Sequence, residues 1–248
     1  MINPGKIEIH HDTGAVARAG AEEFRRTALE AESSGGRFSV ALTGGGSPKE
    51  LYHLLSTEEF SSSIPWHTVH LFWGDDRCVP PDHPRSNFGM ANQLFLRSVP
   101  IPAENVHRIR GEFGAKAGAK HYEEELRSFF GEEAPRLDLV HLGVGDDGHI
   151  ASLFPFQLEN LKERERLCLP AIEKELGEPR VTLSLGVINA ARRVRMLLPD
   201  GEQASLVRKV VEGPIDPFRL PAQLVRPTDG EQLWLLTEKS ARELNRAS

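Results

Sequence analysis

The sequence has little cysteine, and it lacks any long apolar run. Its 248 residues include only Cys78 and Cys168, which are not in CxxC spacing, so neither a disulfide framework nor a thiolate metal site is predicted. No stretch of about 18 apolar residues is present, as a membrane span would require. The N-terminal run MINPGKIEIHHD has no basic-then-apolar secretory pattern. We therefore expect a soluble, cytoplasmic protein with no membrane partner.

Runs of like charge are also missing. The formal net charge is -6, and no five consecutive residues share one sign. An acidic field repels nucleic acid, so we expect no nucleic-acid partner, and an anionic ligand must be held by a local cluster of donors. The 39% hydrophobic content permits one large domain or two modest ones. We predict a single domain over 1–248, as a monomer or small homo-oligomer.

Short apolar runs of strand length alternate with helix-like stretches. They lie at 38–42, 69–73, 138–144, 181–185, 194–198 and 232–236. This alternation is typical of βαβ units, and strands that are continuously apolar are usually buried on both faces. The pattern predicts an α/β fold with a doubly wound, mostly parallel, Rossmann-like sheet and helices on both faces. The charge-rich segment 156–180 has weak periodicity and is expected to be a small subdomain or a mobile loop.

A glycine-rich run follows the strand at 38–42. The run is Thr43, Gly44, Gly45, Gly46 and Ser47. Ser47 fits the N-cap of the next helix, with Pro48 at its first position and Glu50 completing a capping box. Glycines let the backbone approach a ligand closely, and free N–H groups at a helix start favour a phosphate. The alternative is a tight turn without a ligand. Because GK[ST] is absent, an ATP site is not expected.

The run GDDRCVPPDHPRSNF follows the strand at 69–73. Asp75, Asp76 and Arg77 stand at its carboxyl end, where open α/β sheets bind ligands. Arg77 can clamp a phosphate with two parallel hydrogen bonds. A neighbouring carboxylate can accept hydrogen bonds from sugar hydroxyls or orient a histidine. The alternative is a solvated turn of aspartate and arginine.

The run DLVHLGVGDDGHIASLFP presents His149 after a buried strand, beside Asp146 and Asp147. A lone histidine is usually structural, but carboxylates beside an exposed imidazole fix its tautomer, as a general base requires. We predict that His149 is the base, oriented by Asp75 or Asp147. The run also matches GxGxxG, but its aspartates would repel a pyrophosphate, so NAD is not expected. No other histidine has metal-ligand spacing. We therefore predict no metal and no cofactor.

Four runs together resemble the glucosamine-6-phosphate isomerase/6-phosphogluconolactonase family, over nearly the whole chain. They are TGGGSPKELY, FWGDDRCVPPDHPRSNF, DLVHLGVGDDGHIASLFP and RVTLSLGVINAARRV. The glycine run is shared with the glucosamine-6-phosphate deaminases and isomerases. Those deaminases have an aspartate base in a run like FNxDEY and a glutamate five residues after the DGH histidine. This chain has FWGDDR and, at the second place, Phe154. The resemblance therefore favours the lactonases.

The resemblance implies hydrolysis of 6-phospho-D-glucono-1,5-lactone to 6-phosphogluconate in the oxidative pentose phosphate pathway, without a cofactor. It places Asp75, Arg77, His149 and Arg192 in the active site. Lys174 is expected to replace a family lysine that commonly precedes the RVTL strand. Gly148 joins the glycine run as a substrate-binding position, and backbone N–H groups near Gly44 or Gly145 are candidates to stabilise the oxyanion.

Two other functions remain open. One is an amino-sugar-phosphate deaminase or isomerase. The other is a non-catalytic sugar-phosphate sensor, because a fold alone does not settle function. We expect no helix-turn-helix output domain, since the predicted elements leave no room for one.

Overall fold

The computed structural model describes residues 5–131, 135–173 and 177–245. The strands are β1 (Lys6–His10), β2 (Phe38–Leu42), β3 (Val69–Trp73), β4 (Asp75–Arg77), β5 (Leu139–Leu142), β6 (Cys168–Glu173), β7 (Glu178–Leu183), β8 (Arg193–Leu198) and β9 (Glu231–Thr237). The helices are α1 (Thr13–Ser33), α2 (Lys49–Ser56), α3 (Glu58–Ser61), α4 (Asn87–Leu94), α5 (Ala115–Phe130), α6 (Leu158–Lys162), α7 (Leu185–Ala190) and α8 (Ala204–Val211). No helix in these ranges is long and apolar enough to cross a bilayer.

Six strands form the main sheet, in the order β1-β9-β8-β5-β2-β3. Every neighbouring pair is parallel. The central strands β2 and β5 are buried at every residue, because their apolar side chains pack on both faces of the sheet. The edge strand β1 is exposed along most of its length. The predicted α/β fold with a mostly parallel sheet is confirmed.

The strand order reverses between β2 and β5. From β2 the chain continues outward to β3, whereas β5, β8 and β9 follow one another in the opposite direction. At such a switch point the loops after two neighbouring strands diverge and leave a crevice at the carboxyl edge of the sheet. The runs after β2, β3 and β5, at 43–47, 74–77 and 143–149, therefore meet at one place.

A second sheet of three antiparallel strands has the order β4-β7-β6. The strand predicted at 181–185 is part of this sheet, so its prediction as a parallel strand is wrong. The described part of segment 156–180 contains α6, β6 and the start of β7. Its weak periodicity reflects short strands with uneven burial, such as β6, where Ile172 is 57% exposed.

Local residue types account for the bounds and buried faces of α4 and α5. Ser86 caps α4, because its hydroxyl accepts a hydrogen bond from the N–H of Gly89 at 3.0 Å. Tyr122 and Leu126 face the core from α5, which ends before Gly131. The capping box at α2 is wrong, since the position before Lys49 is Pro48 and no side chain caps this helix.

Candidate active site

A cleft of about 190 Å³ lies at the carboxyl ends of β2, β3 and β5. It is lined by Thr43, Gly44, Gly45, Gly46, Ser47, Asp75, Arg77, Asn87, Gly143, Val144, Gly145, His149, Ala151, Arg180 and Gln203. Three runs that are far apart in the sequence therefore line one cleft. We call this cleft the active-site cleft.

A larger groove beside α1 has a volume of about 760 Å³. Its cations are already neutralised, since Arg25, Arg26 and Arg195 each pair with a glutamate. Among its described lining residues, the groove thus offers no unpaired positive charge to an anionic ligand.

The glycine run 43–47 lines the cleft as a short backbone cradle. Buried Tyr52 anchors it, because its hydroxyl donates to the carbonyl of Thr43 at 2.7 Å. No described residue accepts a hydrogen bond from the N–H groups of Gly44, Gly45, Gly46 or Ser47. Unpaired backbone donors in a concave wall favour an anion.

Ser47 serves the cleft and does not cap α2. It lies in the turn before Lys49 and lines the cleft wall. Its hydroxyl is beside Gly143, where a Cβ would lie 3.7 Å from it. The side chain is therefore directed toward the loop after β5 and away from the first N–H groups of the helix, which explains why the predicted capping box is not formed.

Two arginines face each other across the antiparallel pair β4 and β7. Arg77 is opposite Arg180 in the register, and like charges in such a position are destabilising. Buried Glu178 lies near both, with Oε2 3.0 Å from Nη2 of Arg180 and 4.0 Å from Nε of Arg77. Burial lowers the pKa of Arg180, and the charge of Arg77 lowers it further. A bound anion would relieve this repulsion.

Asp75 is buried in the cleft wall and contacts none of the histidines. The hydroxyl of Ser152 donates to its Oδ2 at 2.6 Å, and Nδ2 of Asn87 donates to its Oδ1 at 3.2 Å. Nη1 of Arg180 lies 3.8 Å from Oδ2. Each carboxylate oxygen keeps a lone pair for a further donor.

Asp76 points away from the cleft and organises the start of α4. It accepts hydrogen bonds from the N–H groups of Arg77, Asn87 and Phe88 and from the hydroxyl of Ser86. Burial raises the pKa of Asp76 to about 6, although the backbone donors oppose that rise. This carboxylate therefore joins Arg77 to the helix that carries Asn87.

His149 is paired with Asp147. Its Nδ1 lies 2.5 Å from Oδ1 of Asp147, which also accepts from the backbone N–H of His149 at 3.1 Å. Burial alone would raise the pKa of Asp147, but the hydrogen bond and charge of His149 make the net shift downward. An ionised carboxylate can only accept, so Nδ1 carries the proton and Nε2 is left as an acceptor.

Two neighbours hold the imidazole ring in place. The ring of Phe154 lies 4.8 Å from it, measured between centroids. Gly145 lies against its other atoms, since a Cβ there would be 2.1 Å from Cε1 and 2.2 Å from Nδ1. The N–H of Gly145 donates to the carbonyl of His149 at 2.9 Å. Gly145 is therefore not available as an oxyanion donor.

Three other predicted positions are outside the cleft lining or cannot be placed. Arg192 precedes β8, so it lies at the amino edge of the sheet, where its Nε is 3.2 Å from Asp138. The structure therefore places Arg192 outside the cleft lining. Gly148 lies in the turn behind the imidazole, with its N–H bonded to Gly145 and its carbonyl to Ala222. Lys174 lies outside the described residues.

Three polar side chains of the cleft were not predicted from the sequence. They are Asn87, Arg180 and Gln203. Asn87 and Arg180 belong to runs that carry the family resemblance, but only the pairing of β4 with β7 brings Arg180 to the cleft. Gln203 precedes α8, and its amide donates to the carbonyl of Val144 at 2.9 Å. No pattern in the sequence connects it with β5.

Within 5–131, 135–173 and 177–245, no three side chains of the types His, Cys, Asp and Glu are grouped so that they could hold a metal ion.

Known proteins are similar to this chain in sequence and in fold. A family model described as glucosamine-6-phosphate isomerases/6-phosphogluconolactonase matches residues 11–234. The chain belongs to this family. It is similar to the 6-phosphogluconolactonase of Nostoc sp. (strain PCC 7120), with 39% identity over 85% of this chain and 86% of that protein. A second family member, the 6-phosphogluconolactonase of Synechocystis sp. (strain PCC 6803), is 38% identical over 84% and 85% of the two chains.

Solved structures of the family agree with the fold. The crystal structure of the devB protein matches with a TM-score of 0.90 and 32% identity, over 99% of this chain and all of that one. A monomeric glucosamine-6-phosphate deaminase matches with a TM-score of 0.79 at 18% identity, over 96% of this chain and 99% of that one. At that identity the likeness shows the fold alone.

Proposed function

We propose that this chain hydrolyses 6-phospho-D-glucono-1,5-lactone to 6-phosphogluconate, in the oxidative pentose phosphate pathway of the cytoplasm. The observation that carries the proposal is one cleft lined by a histidine that is paired with a carboxylate, by two arginines and by a row of open N–H groups. We further propose that it acts as a monomer or small homo-oligomer and needs no nucleic acid.

His149 activates the water. Its Nε2 takes a proton as the water attacks the lactone carbonyl, and the imidazolium then returns a proton to the departing ring oxygen. Asp147 accepts from Nδ1–H throughout, so it stabilises the positive ring as the charge develops. Asp75 is assigned to the sugar, where its remaining lone pairs accept hydrogen bonds from hydroxyl groups. The N–H of Gly44 is our candidate for stabilising the oxyanion.

The phosphate gives the substrate its orientation. Arg77, Arg180 and the N–H groups of Gly45, Gly46 and Ser47 together supply donors and positive charge. Binding energy gained at this remote group positions the carbonyl near His149. Arg180 is thus the second cleft arginine, where the family resemblance suggests Arg192.

Turnover by the unmodified protein is the primary test. We expect lactonase activity above the spontaneous hydrolysis rate, with a kcat/KM for the phosphorylated lactone at least about 100-fold above that for gluconolactone, because charge-assisted hydrogen bonds contribute roughly 1.5–3 kcal/mol each. A coupled spectrophotometric assay measures both. Equal use of the two lactones would contradict the phosphate site, and ammonia release from glucosamine 6-phosphate would show the deaminase activity instead.

Replacing Arg180 tests the corrected arginine assignment. Arg180→Lys and Arg180→Met are expected to raise KM for the phosphorylated lactone by roughly 10- to 100-fold, with the larger effect for Met, because the guanidinium donors are lost. Arg192→Met is the matched control and should leave KM unchanged. Steady-state kinetics decide between them, and a KM effect confined to Arg192→Met would reverse the assignment.

Replacing Asp147 tests which carboxylate assists the base. Asp147→Asn is expected to lower kcat roughly tenfold, because a neutral amide stabilises the imidazolium less than a carboxylate does. Asp146→Asn removes an equal charge from the preceding residue, which is exposed and accepts a hydrogen bond from Gln203, whereas His149 is bonded to Asp147. If both variants lost kcat equally, a general charge effect would replace the proposed pairing.

A further inference from the structure

Asn87 bridges Arg77, which is proposed to bind the phosphate, and Asp75, which is proposed to bind the sugar. Its Oδ1 accepts from Nη1 of Arg77 at 2.5 Å. Its Nδ2 donates to the backbone carbonyl of Asp75 at 2.8 Å and to the carboxylate of the same residue at 3.2 Å. Only 2% of Asn87 is exposed. One amide therefore joins the guanidinium on the phosphate side to the carboxylate on the sugar side.

The orientation of this amide is determined by its partners. A guanidinium only donates, whereas a carboxylate and a carbonyl only accept. The amide oxygen must therefore face Arg77, and its nitrogen must face Asp75. Reversing the amide would oppose donor to donor and acceptor to acceptor.

Close neighbours restrict the side chain of Asn87. Its backbone N–H donates to Oδ1 of Asp76 at 2.7 Å, which fixes the start of α4. On the other side the cradle touches the amide, since a Cβ on Gly44 would lie 1.9 Å from its Oδ1. Gly44 therefore allows the cradle and the amide to approach each other closely.

We propose that Asn87 is a positioning residue that couples phosphate recognition to placement of the sugar. When a phosphate engages Arg77, the amide keeps that guanidinium in a fixed relation to Asp75, so the sugar hydroxyls meet their acceptor in one orientation. Binding energy from the phosphate is then used to orient the lactone. This inference rests on the proposed lactonase function and gives Asn87 no contact with the reacting atoms.

Asn87→Asp is the sharpest test, because it keeps the size of the side chain and removes its donor. The new carboxylate would face that of Asp75. We expect the ratio of kcat/KM values for phosphorylated and unphosphorylated lactone to fall roughly 10- to 100-fold, with most of the loss in the phosphorylated reaction. Asn92→Asp makes the same charge change on the exposed side of α4 and should keep the ratio.

A steric variant approaches the bridge from the opposite side. Gly44→Ala should displace the amide and reduce the same ratio, whereas Asn87→Ala removes the atoms with which the new methyl group collides. The ratio for the double variant should therefore be no lower than that of the more impaired single variant. Two independent effects would add, so they would not give this result. Calorimetric binding of 6-phosphogluconate and the melting temperature are measured for each protein.

The outcomes separate this inference from the proposed function. If the unmodified protein does not prefer the phosphorylated lactone, the proposed phosphate site fails first. If it does, and folded Asn87→Asp keeps the full preference, the positioning role is wrong. If Asn87→Asp does not fold, Gly44→Ala and the double variant decide, and additive losses would overturn the coupling.

Discussion

His149→Ala is expected to lower kcat by about 10²–10⁴ with little change in KM, the range typical of losing a general base. The imidazole is the group in the cleft whose open nitrogen can accept a proton from water, and its other nitrogen is bonded to Asp147. The arginines and the cradle are on other elements, so binding of the phosphate should persist. Steady-state kinetics above the spontaneous rate measure the two effects separately.

His53→Ala provides the control for this variant. His53 is exposed on α2, the helix that follows the cradle, so its removal should leave both constants unchanged. If His149→Ala kept a near-normal kcat, the proposed activation of water would be wrong. A large rise in KM at constant kcat would instead make His149 a binding residue.

Gly145→Ala is expected to lower kcat by about 10²-fold or more, although it adds only one methyl group. That methyl would overlap the imidazole ring, with Cε1 2.1 Å and Nδ1 2.2 Å from the new Cβ. The ring must rotate away, which breaks the alignment with Asp147, and small misplacements of a catalytic group can cost about 10²-fold in rate. The measurement is kcat together with the melting temperature.

A matched glycine separates this effect from a general response to alanine. Gly186 lies in α7, outside the cleft lining, and a Cβ there would be 3.6 Å from its nearest neighbour, an ordinary contact. Gly186→Ala should therefore keep full activity. A Gly145→Ala protein with normal kcat would show that the ring has another productive position.

The parts of the site that could be predicted from the sequence are those encoded locally. An apolar strand followed by glycines predicts where the chain leaves the sheet, so the cradle and His149 are expected at the carboxyl edge without any knowledge of how the strands pair. The close pairing of His149 with Asp147 is also local, since only Gly148 separates them in the sequence. Which of Asp147 and Asp75 pairs with His149, however, is seen only in the structure.

The structure differs from the sequence-based expectations mainly in features that depend on contacts between distant parts of the chain. Arg180 reaches the cleft because β7 is antiparallel to β4. Neither the direction of β7 nor its register with β4 can be predicted from the local sequence pattern. Arg192 is only twelve residues later, yet it lies at the opposite edge because it precedes a parallel strand. Ser47 has a favourable capping residue type, but its loop turns it toward Gly143.

The cleft lies between two sheets, and in the proposed mechanism the two sheets have separate tasks. Arg77 and Arg180 come from the small antiparallel sheet, whereas the cradle and His149 follow strands of the large parallel one. A change of residue in β4 or β7 can therefore alter which charged group is accepted while the histidine and its carboxylate stay in place. With this arrangement, substitutions in the small sheet can change the charged group that the cleft binds, while the residues that transfer the proton stay the same.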